Sequence, residues 1–238
     1  MVASHYENIS TPDGTFEAYC ALPDGDGPWP GVVLFQEIFG INDNMRWLAD
    51  RAAGAGFLAL VPDMFWRLEP RFERKDESGL GDAMNIVMQF DQAAAMVDMQ
   101  ATFTHLIGMT ACDGNVGSVG FCLGGALSFG FAATVRVDGH GPDAMVSYYG
   151  SAVNDLLGMA DQIQCPMLFH YGTNDAFIPT ENIDQVEAVV AGRPDVGFYR
   201  YDAGHAFSNA DAPSMYVEAA ATQAWARTLD FLGAHLRS

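Results

Sequence analysis

The residues with the clearest catalytic character are a cysteine, an aspartate and a histidine that follow three separate apolar segments of the chain. Cys122 lies in the segment Gly120-Phe121-Cys122-Leu123-Gly124. This spacing is typical of a strained turn between a strand and a helix that presents a nucleophile. The N-terminus of a helix beside the sulfur favours a thiolate. Taken alone, the turn is also compatible with a buried cysteine that has no catalytic role.

Asp175 and His205 follow the predicted strands 167–171 and 197–201. If these strands are parallel, both side chains lie at the carboxyl edge of the sheet together with Cys122, which is where open α/β sheets bind ligands. The chain order of nucleophile, acid and histidine is that of α/β-hydrolases. We therefore interpret the three residues as a catalytic triad. The thiolate attacks an acyl carbon, the histidine transfers protons, and the aspartate orients the imidazole.

An oxyanion hole follows from the same arrangement. One donor is the backbone N–H of Leu123, the residue after the nucleophile. The second comes from the turn Gln36-Glu37-Ile38-Phe39-Gly40 after the third strand, and we assign it to the N–H of Ile38.

The elements that must position these residues alternate along the chain. The hairpin 4–22 precedes apolar strands, whose continuous hydrophobic runs indicate burial in a parallel sheet. The further predicted strands are 31–36, 57–61, 116–121, 144–149, 167–171 and 197–201, and the predicted helices are 43–54, 80–107 with a break near Asp91, 123–133, 181–191 and 214–235. We predict an α/β fold with a mostly parallel central sheet, helices on both faces and an N-terminal antiparallel hairpin, forming a single domain over residues 1–238.

Charge and cysteine usage narrow the classes of partner. The net charge of −19 disfavours nucleic acid and anionic membrane surfaces. No signal peptide or transmembrane segment is recognisable, and the oligomeric state is open.

The four cysteines are scattered, without CxxC or HExxH motifs, so we expect free thiols, a cytoplasmic location, and neither metal nor cofactor. The cysteines are Cys20, Cys112, Cys122 and Cys165.

The chain resembles the dienelactone hydrolase family of α/β-hydrolases. The resemblance rests on motifs spread over nearly the whole chain, namely residues 36–40, Val61-Pro-Asp-Met-Phe65, 117–125, Tyr148-Tyr-Gly150, 172–175 and 204–207. It implies a cysteine-dependent hydrolase that acts on small carboxylic esters or lactones through an acyl-enzyme. It also implies that Glu37 pairs with the resting thiol and moves away when substrate binds. The alternative role for Glu37 is a carboxylate placed at the start of the following helix.

Two positions depart from the family pattern. Family members that act on dienelactone hold its carboxylate with two arginines, and the corresponding positions here are Leu80 and Asn209. The segment 67–75 holds four basic residues and two glutamates. It is either part of a lid that meets an anionic substrate or a solvated loop with local ion pairs, and charge runs usually face water.

Three functions are compatible with these features. The leading one is a cysteine hydrolase of esters or lactones. The second is a carboxylesterase whose substrate carries no carboxylate, which the missing arginines favour. The third is a binder of small molecules or a thiol redox sensor on the same scaffold, which would need neither Asp175 nor His205.

Overall fold

One eight-stranded sheet organises the computed structural model, which describes residues 2–75 and 77–237. In chain order, the strands are β1 (Ala3–Thr11), β2 (Gly14–Leu22), β3 (Trp29–Phe35), β4 (Leu58–Pro62), β5 (Cys112–Phe121), β6 (Ala144–Tyr148), β7 (Met167–Gly172) and β8 (Val196–Tyr201). They lie in the order β1-β2-β4-β3-β5-β6-β7-β8. The pairs from β4 to β8 are parallel, whereas β1–β2 and β2–β4 are antiparallel. The predicted fold class and the N-terminal hairpin are confirmed.

The helices cover the two faces of this sheet. They are α1 (Asp43–Gly54), α2 (Leu80–Val87), α3 (Gln92–Gly108), α4 (Leu123–Thr134), α5 (Thr180–Val190) and α6 (Glu218–Leu236). Within β3, Val32 and Leu34 join a core with α1 and α6, whereas Val33 and Phe35 join a second core with α3. Successive strand residues point to opposite faces, so a strand buried on both sides is apolar throughout. None of the helices described combines the length and apolar character needed to cross a bilayer.

Two stretches differ from the sequence prediction. The last helix begins at Glu218, not at residue 214, because the Val217 N–H donates to the Phe207 carbonyl at 2.9 Å and holds Val217 extended. Residues Val153–Gln162 form a 3₁₀ segment that was not predicted. It begins after Ala152, whose φ of +65° lies in the left-handed region. The predicted break near Asp91 is confirmed, since the Asp91 side chain caps α3.

Candidate active site

The turn that carries Cys122 has the strained geometry expected of a nucleophile elbow. Cys122 has φ of +54° and ψ of −116°, and it directly precedes α4. A Cβ on Gly120 would lie 1.7 Å from the Gly124 carbonyl oxygen. A Cβ on Gly124 would lie 2.2 Å from the Phe35 carbonyl oxygen. Both glycines are therefore required by close backbone approach, and the turn holds the cysteine at the carboxyl end of β5.

Asp175, His205 and Cys122 form a continuous series of polar contacts. The His205 Nδ1 atom lies 2.8 Å from Asp175 Oδ2, and the Asp175 side chain is fully buried. The other oxygen of Asp175 accepts from the Phe177 and Ile178 N–H groups at 2.8 and 2.9 Å. This fixes the carboxylate and leaves the Nε2 atom of the imidazole for the thiol. The three residues predicted from the sequence therefore lie together at one edge of the sheet.

The surroundings of His205 favour its protonated form. Burial opposes the charge, but hydrogen bonds with Asp175 and Cys122 raise the pKa of His205 to about 10. The imidazole is therefore able to hold a proton that it accepts during a reaction. The Cys122 sulfur also lies 3.6 Å from the Ser151 hydroxyl.

Glu37 lies close to the triad, but its carboxylate is bound by residues other than the thiol. The Tyr149 hydroxyl donates to Glu37 Oε1 at 3.1 Å, and the Asn209 amide donates to Oε2. Tyr149 in turn lies 2.7 Å from the Ser208 hydroxyl. Burial raises the pKa of Glu37, against the opposing effects of His205 and the two donors. The pairing of Glu37 with the resting thiol, which the resemblance implies, is not the arrangement found here.

The triad opens into a cavity of about 360 Å³. Cys122, His205 and Glu37 line it, and so do Ile38 and Leu123, the two residues assigned to the oxyanion hole. Leu123 is the first residue of α4, where a backbone N–H has no acceptor within the helix. The remaining walls are mostly apolar, and they include Leu80 and Met84 from α2. The site thus combines a cysteine, a histidine and a cavity that could hold a small molecule.

The two positions that depart from the family pattern have separate roles. Leu80 lines the cavity, and 40% of its surface is exposed. Asn209 is fully buried and binds Glu37. Neither residue supplies a positive charge to the cavity.

The arginines of the basic segment 67–75 bind carboxylates of other segments. The pairs are Arg67 with Asp98 at 2.8 Å, Arg71 with Glu17, and Arg74 with Asp82 at 2.9 Å. Among the described residues that line the cavity, none belongs to this segment. These contacts favour the interpretation of a loop with local ion pairs.

A group of potential metal ligands lies on the β1–β2 hairpin, away from the edge that carries Cys122. The ligand atoms of His5, Glu7 and Cys20 lie within 4.8 Å of one another. His5 Nε2 is already hydrogen bonded to Glu7 at 2.6 Å, and burial raises the pKa of Cys20 to about 12. Because metals bind the thiolate, this thiol is a poor ligand at neutral pH.

Several residues of the site were not identified from the sequence. Tyr149 and Ser151 follow β6 at the same sheet edge, which is a signal that could have indicated them. Met84, Phe90 and Met215 line the cavity, but their spacing resembles that of ordinary helix or loop residues. Their position depends on tertiary packing, which spacing alone does not reveal.

Comparisons with known proteins agree with the fold. The model of the dienelactone hydrolase family matches residues 16–236. A carboxymethylenebutenolidase from Pseudomonas putida is 35% identical, and the match covers 94% of each chain. Carboxymethylenebutenolidase 1 from Cupriavidus pinatubonensis is 32% identical, covering 98% of this chain and 97% of that one. The solved structure of a dienelactone hydrolase-like promiscuous phosphotriesterase from metagenomic libraries shares the fold, with a TM-score of 0.81, 24% identity and 98% coverage of both chains.

Proposed function

The chain belongs to the dienelactone hydrolase family and is a hydrolase of carboxylic esters or lactones, and we propose that Cys122, His205 and Asp175 carry out its reaction. The observation that carries this proposal is the series of contacts from Asp175 through His205 to Cys122 at one end of the cavity. An aspartate fixed by two backbone donors holds the imidazole in a single orientation. The sulfur sits at a helix N-terminus, which stabilises its negative charge.

The reaction begins when the thiol proton moves to Nε2 of His205. The thiolate attacks the acyl carbon of the substrate, and the carbonyl oxygen takes the negative charge. The N–H groups of Leu123 and Ile38 stabilise this oxyanion. When the intermediate collapses, the bond from carbon to the leaving oxygen breaks, and that oxygen takes the proton from His205. A thioester on Cys122 remains.

The second half of the reaction uses water. His205 removes a proton from a water molecule, whose oxygen attacks the thioester carbon. Collapse breaks the carbon–sulfur bond, releases the carboxylic acid and returns the proton to sulfur. Throughout, Asp175 stabilises the charged imidazole. The Glu37 carboxylate also favours the charged imidazole. Burial raises the pKa of Glu37, whereas attraction to His205 acts in the opposite direction and lowers it.

We also propose a compartment and a domain organisation for this protein. All four cysteines are free thiols, which fits a reducing compartment such as the cytoplasm. Cys122, Asp175 and His205 each follow a strand of the same sheet, so we propose that the chain forms a single domain.

The test is hydrolysis of 4-nitrophenyl butyrate and of a γ-lactone by the wild-type protein, by Cys122→Ala and by Asp175→Asn. We expect the alanine variant to lose at least about 1,000-fold in kcat, because the acyl-enzyme cannot form. Mass spectrometry of the quenched wild-type reaction should show the acyl group on the peptide that contains Cys122. Cys112→Ala, at a cysteine outside the cavity, is the matched control and should retain activity. Turnover that is unchanged in Cys122→Ala would contradict the proposal.

A further inference from the structure

Much of the cavity wall is apolar. The side chains there come from α2 and three loops, and they include Phe39, Leu80, Met84, Val87, Phe177 and Met215. Of these, Leu80 is 40% exposed, Met84 is 44% exposed and Phe177 is 61% exposed. Large apolar side chains that remain exposed around a cavity indicate a surface that is covered when an apolar ligand binds.

The charged groups that reach the cavity are unfavourable to an anion. Glu37 lies in its wall with both carboxylate oxygens bound to neutral donors, and Glu77 lies at its rim, bound by Ser214. Among the described lining residues, none is Lys or Arg. Among the lining residues that the structure describes, His205 is the one able to carry positive charge, and its imidazole is already bound to Asp175.

The apolar wall and the charged groups of the cavity should affect the binding of neutral and anionic substrates differently. A neutral alkyl or ester group gains free energy when it leaves water for apolar walls. A carboxylate in the same place loses its hydration and, among the described lining residues, finds no lysine or arginine to pair with. The neutral amides and hydroxyls nearby, such as Gln92 and Ser151, can donate hydrogen bonds but cannot neutralise a charge.

We propose that this site selects uncharged esters or lactones with apolar substituents and disfavours substrates that carry a free carboxylate. The inference rests on the proposed function, since it names the substrate class of the same site. It assigns the discrimination to the wall formed by Leu80, Met84 and Phe177.

The test compares mono-4-nitrophenyl glutarate with its methyl ester, methyl 4-nitrophenyl glutarate. The two share a leaving group and an acyl chain, and they differ in the charge at the far end. We expect the wild-type protein to show a kcat/KM roughly 10- to 100-fold higher for the methyl ester, the range that corresponds to an unpaired polar group placed in an apolar site.

A variant that adds a cation to the wall makes the comparison sharper. Leu80 is partly exposed at the first position of α2, so the long side chain in Leu80→Arg has room to reach the cavity. We expect this variant to raise kcat/KM for the anionic ester roughly 10-fold, because it supplies a charge-assisted hydrogen bond. Leu80→Met is the matched control, since it changes shape without charge, and it should keep the wild-type preference for the methyl ester.

The outcomes separate this inference from the proposed function. Equal or faster hydrolysis of the anionic ester, with activity lost in Cys122→Ala, would overturn the substrate class and leave the hydrolase mechanism standing. An unchanged preference in Leu80→Arg would also overturn it, because the charge of this wall would then not set the selectivity. Hydrolysis of both esters that does not depend on Cys122 would overturn the proposed function itself.

Discussion

At the scale of single residues, the site depends on where one proton resides. Burial alone would lower the pKa of His205, yet contacts with Asp175 and Cys122 raise it to about 10. The imidazole can therefore hold the proton that it accepts from the thiol when the reaction begins. In this arrangement Glu37 is bound by Tyr149 and Asn209 and does not compete for the thiol. The imidazole of His205 is thus left as the acceptor of the thiol proton.

This argument predicts the reactivity of Cys122 toward iodoacetamide. Replacing His205 with Gln removes the base that accepts the thiol proton, so alkylation of Cys122 near neutral pH should slow by about 10-fold or more. The rate is measured by mass spectrometry of the peptide that contains the cysteine. Cys112 is an internal control, because it lies outside the cavity and burial raises its pKa in both proteins. Equal rates for Cys122 in the two proteins would contradict the role of His205 as the proton acceptor.

Some of these residues could be predicted from the sequence and others could not. Cys122, Asp175 and His205 each follow a strand, and a local pattern was enough to place them at one edge. The partners of Glu37 are 112 and 172 residues away along the chain, at Tyr149 and Asn209. No local spacing links such residues, because the contacts depend on how β3, β6 and the loop after β8 pack together. Their roles emerge only from the structure.

At the scale of elements, close backbone approach explains the elbow between β5 and α4. The spacing of its glycines predicted the turn correctly, because the restriction is local and depends on the backbone alone. The start of α6 was predicted four residues too early, because a tertiary hydrogen bond from Val217 to Phe207 overrides the helical pattern before Glu218. The boundaries of an element that depend on its own backbone can therefore be predicted from the sequence, whereas boundaries set by contacts with distant residues cannot.

The same distances predict opposite effects for two glycine substitutions. Gly120→Ala places a methyl group 1.7 Å from a backbone oxygen, and we expect a loss of at least about 3 kcal/mol in the free energy of unfolding. Gly130 lies within α4, and its Cβ would meet only the Met99 methyl group, at 4.0 Å. Gly130→Ala should therefore be neutral or stabilising by up to about 1 kcal/mol. Urea unfolding of both variants checks this, and similar losses in the two would show that backbone approach at the elbow is not limiting.

At the scale of the whole molecule, the sheet brings distant segments of the chain to one edge. A buried polar cluster also links strands β7 and β8 to helix α6. His170 on β7 lies 2.8 Å from the Tyr201 hydroxyl on β8 and 3.1 Å from the Thr228 hydroxyl on α6. Arg227 donates to the Tyr201 hydroxyl at 3.0 Å, which leaves the hydroxyl proton for Nδ1 of His170. Both ring nitrogens are thus satisfied in the neutral form. The single domain remains a prediction, but this cluster couples β7, β8 and α6.

Neutral His170 should make the fold sensitive to acid. Burial lowers the pKa of His170 to about 3, whereas the unfolded chain binds the proton near the ordinary value of about 6.5. The stability from this group is present above about pH 6.5 and is lost as the pH falls toward 3, because only the unfolded state takes up the proton. Between about pH 7 and pH 5 the wild-type protein should lose about 2 kcal/mol more than His170→Gln, whose amide does not titrate.

Urea unfolding of both proteins at the two pH values measures this difference. The comparison cancels the opposite contributions of Asp63 and Glu37, whose pKa values are raised by burial and which favour folding as the pH falls. Those groups are common to the two proteins, so the difference between the proteins isolates His170. Parallel losses of stability would mean that His170 takes up a proton in the folded state. The hydroxyls of Tyr201 and Thr228 would then both act as acceptors, and the cluster would not couple acid to unfolding.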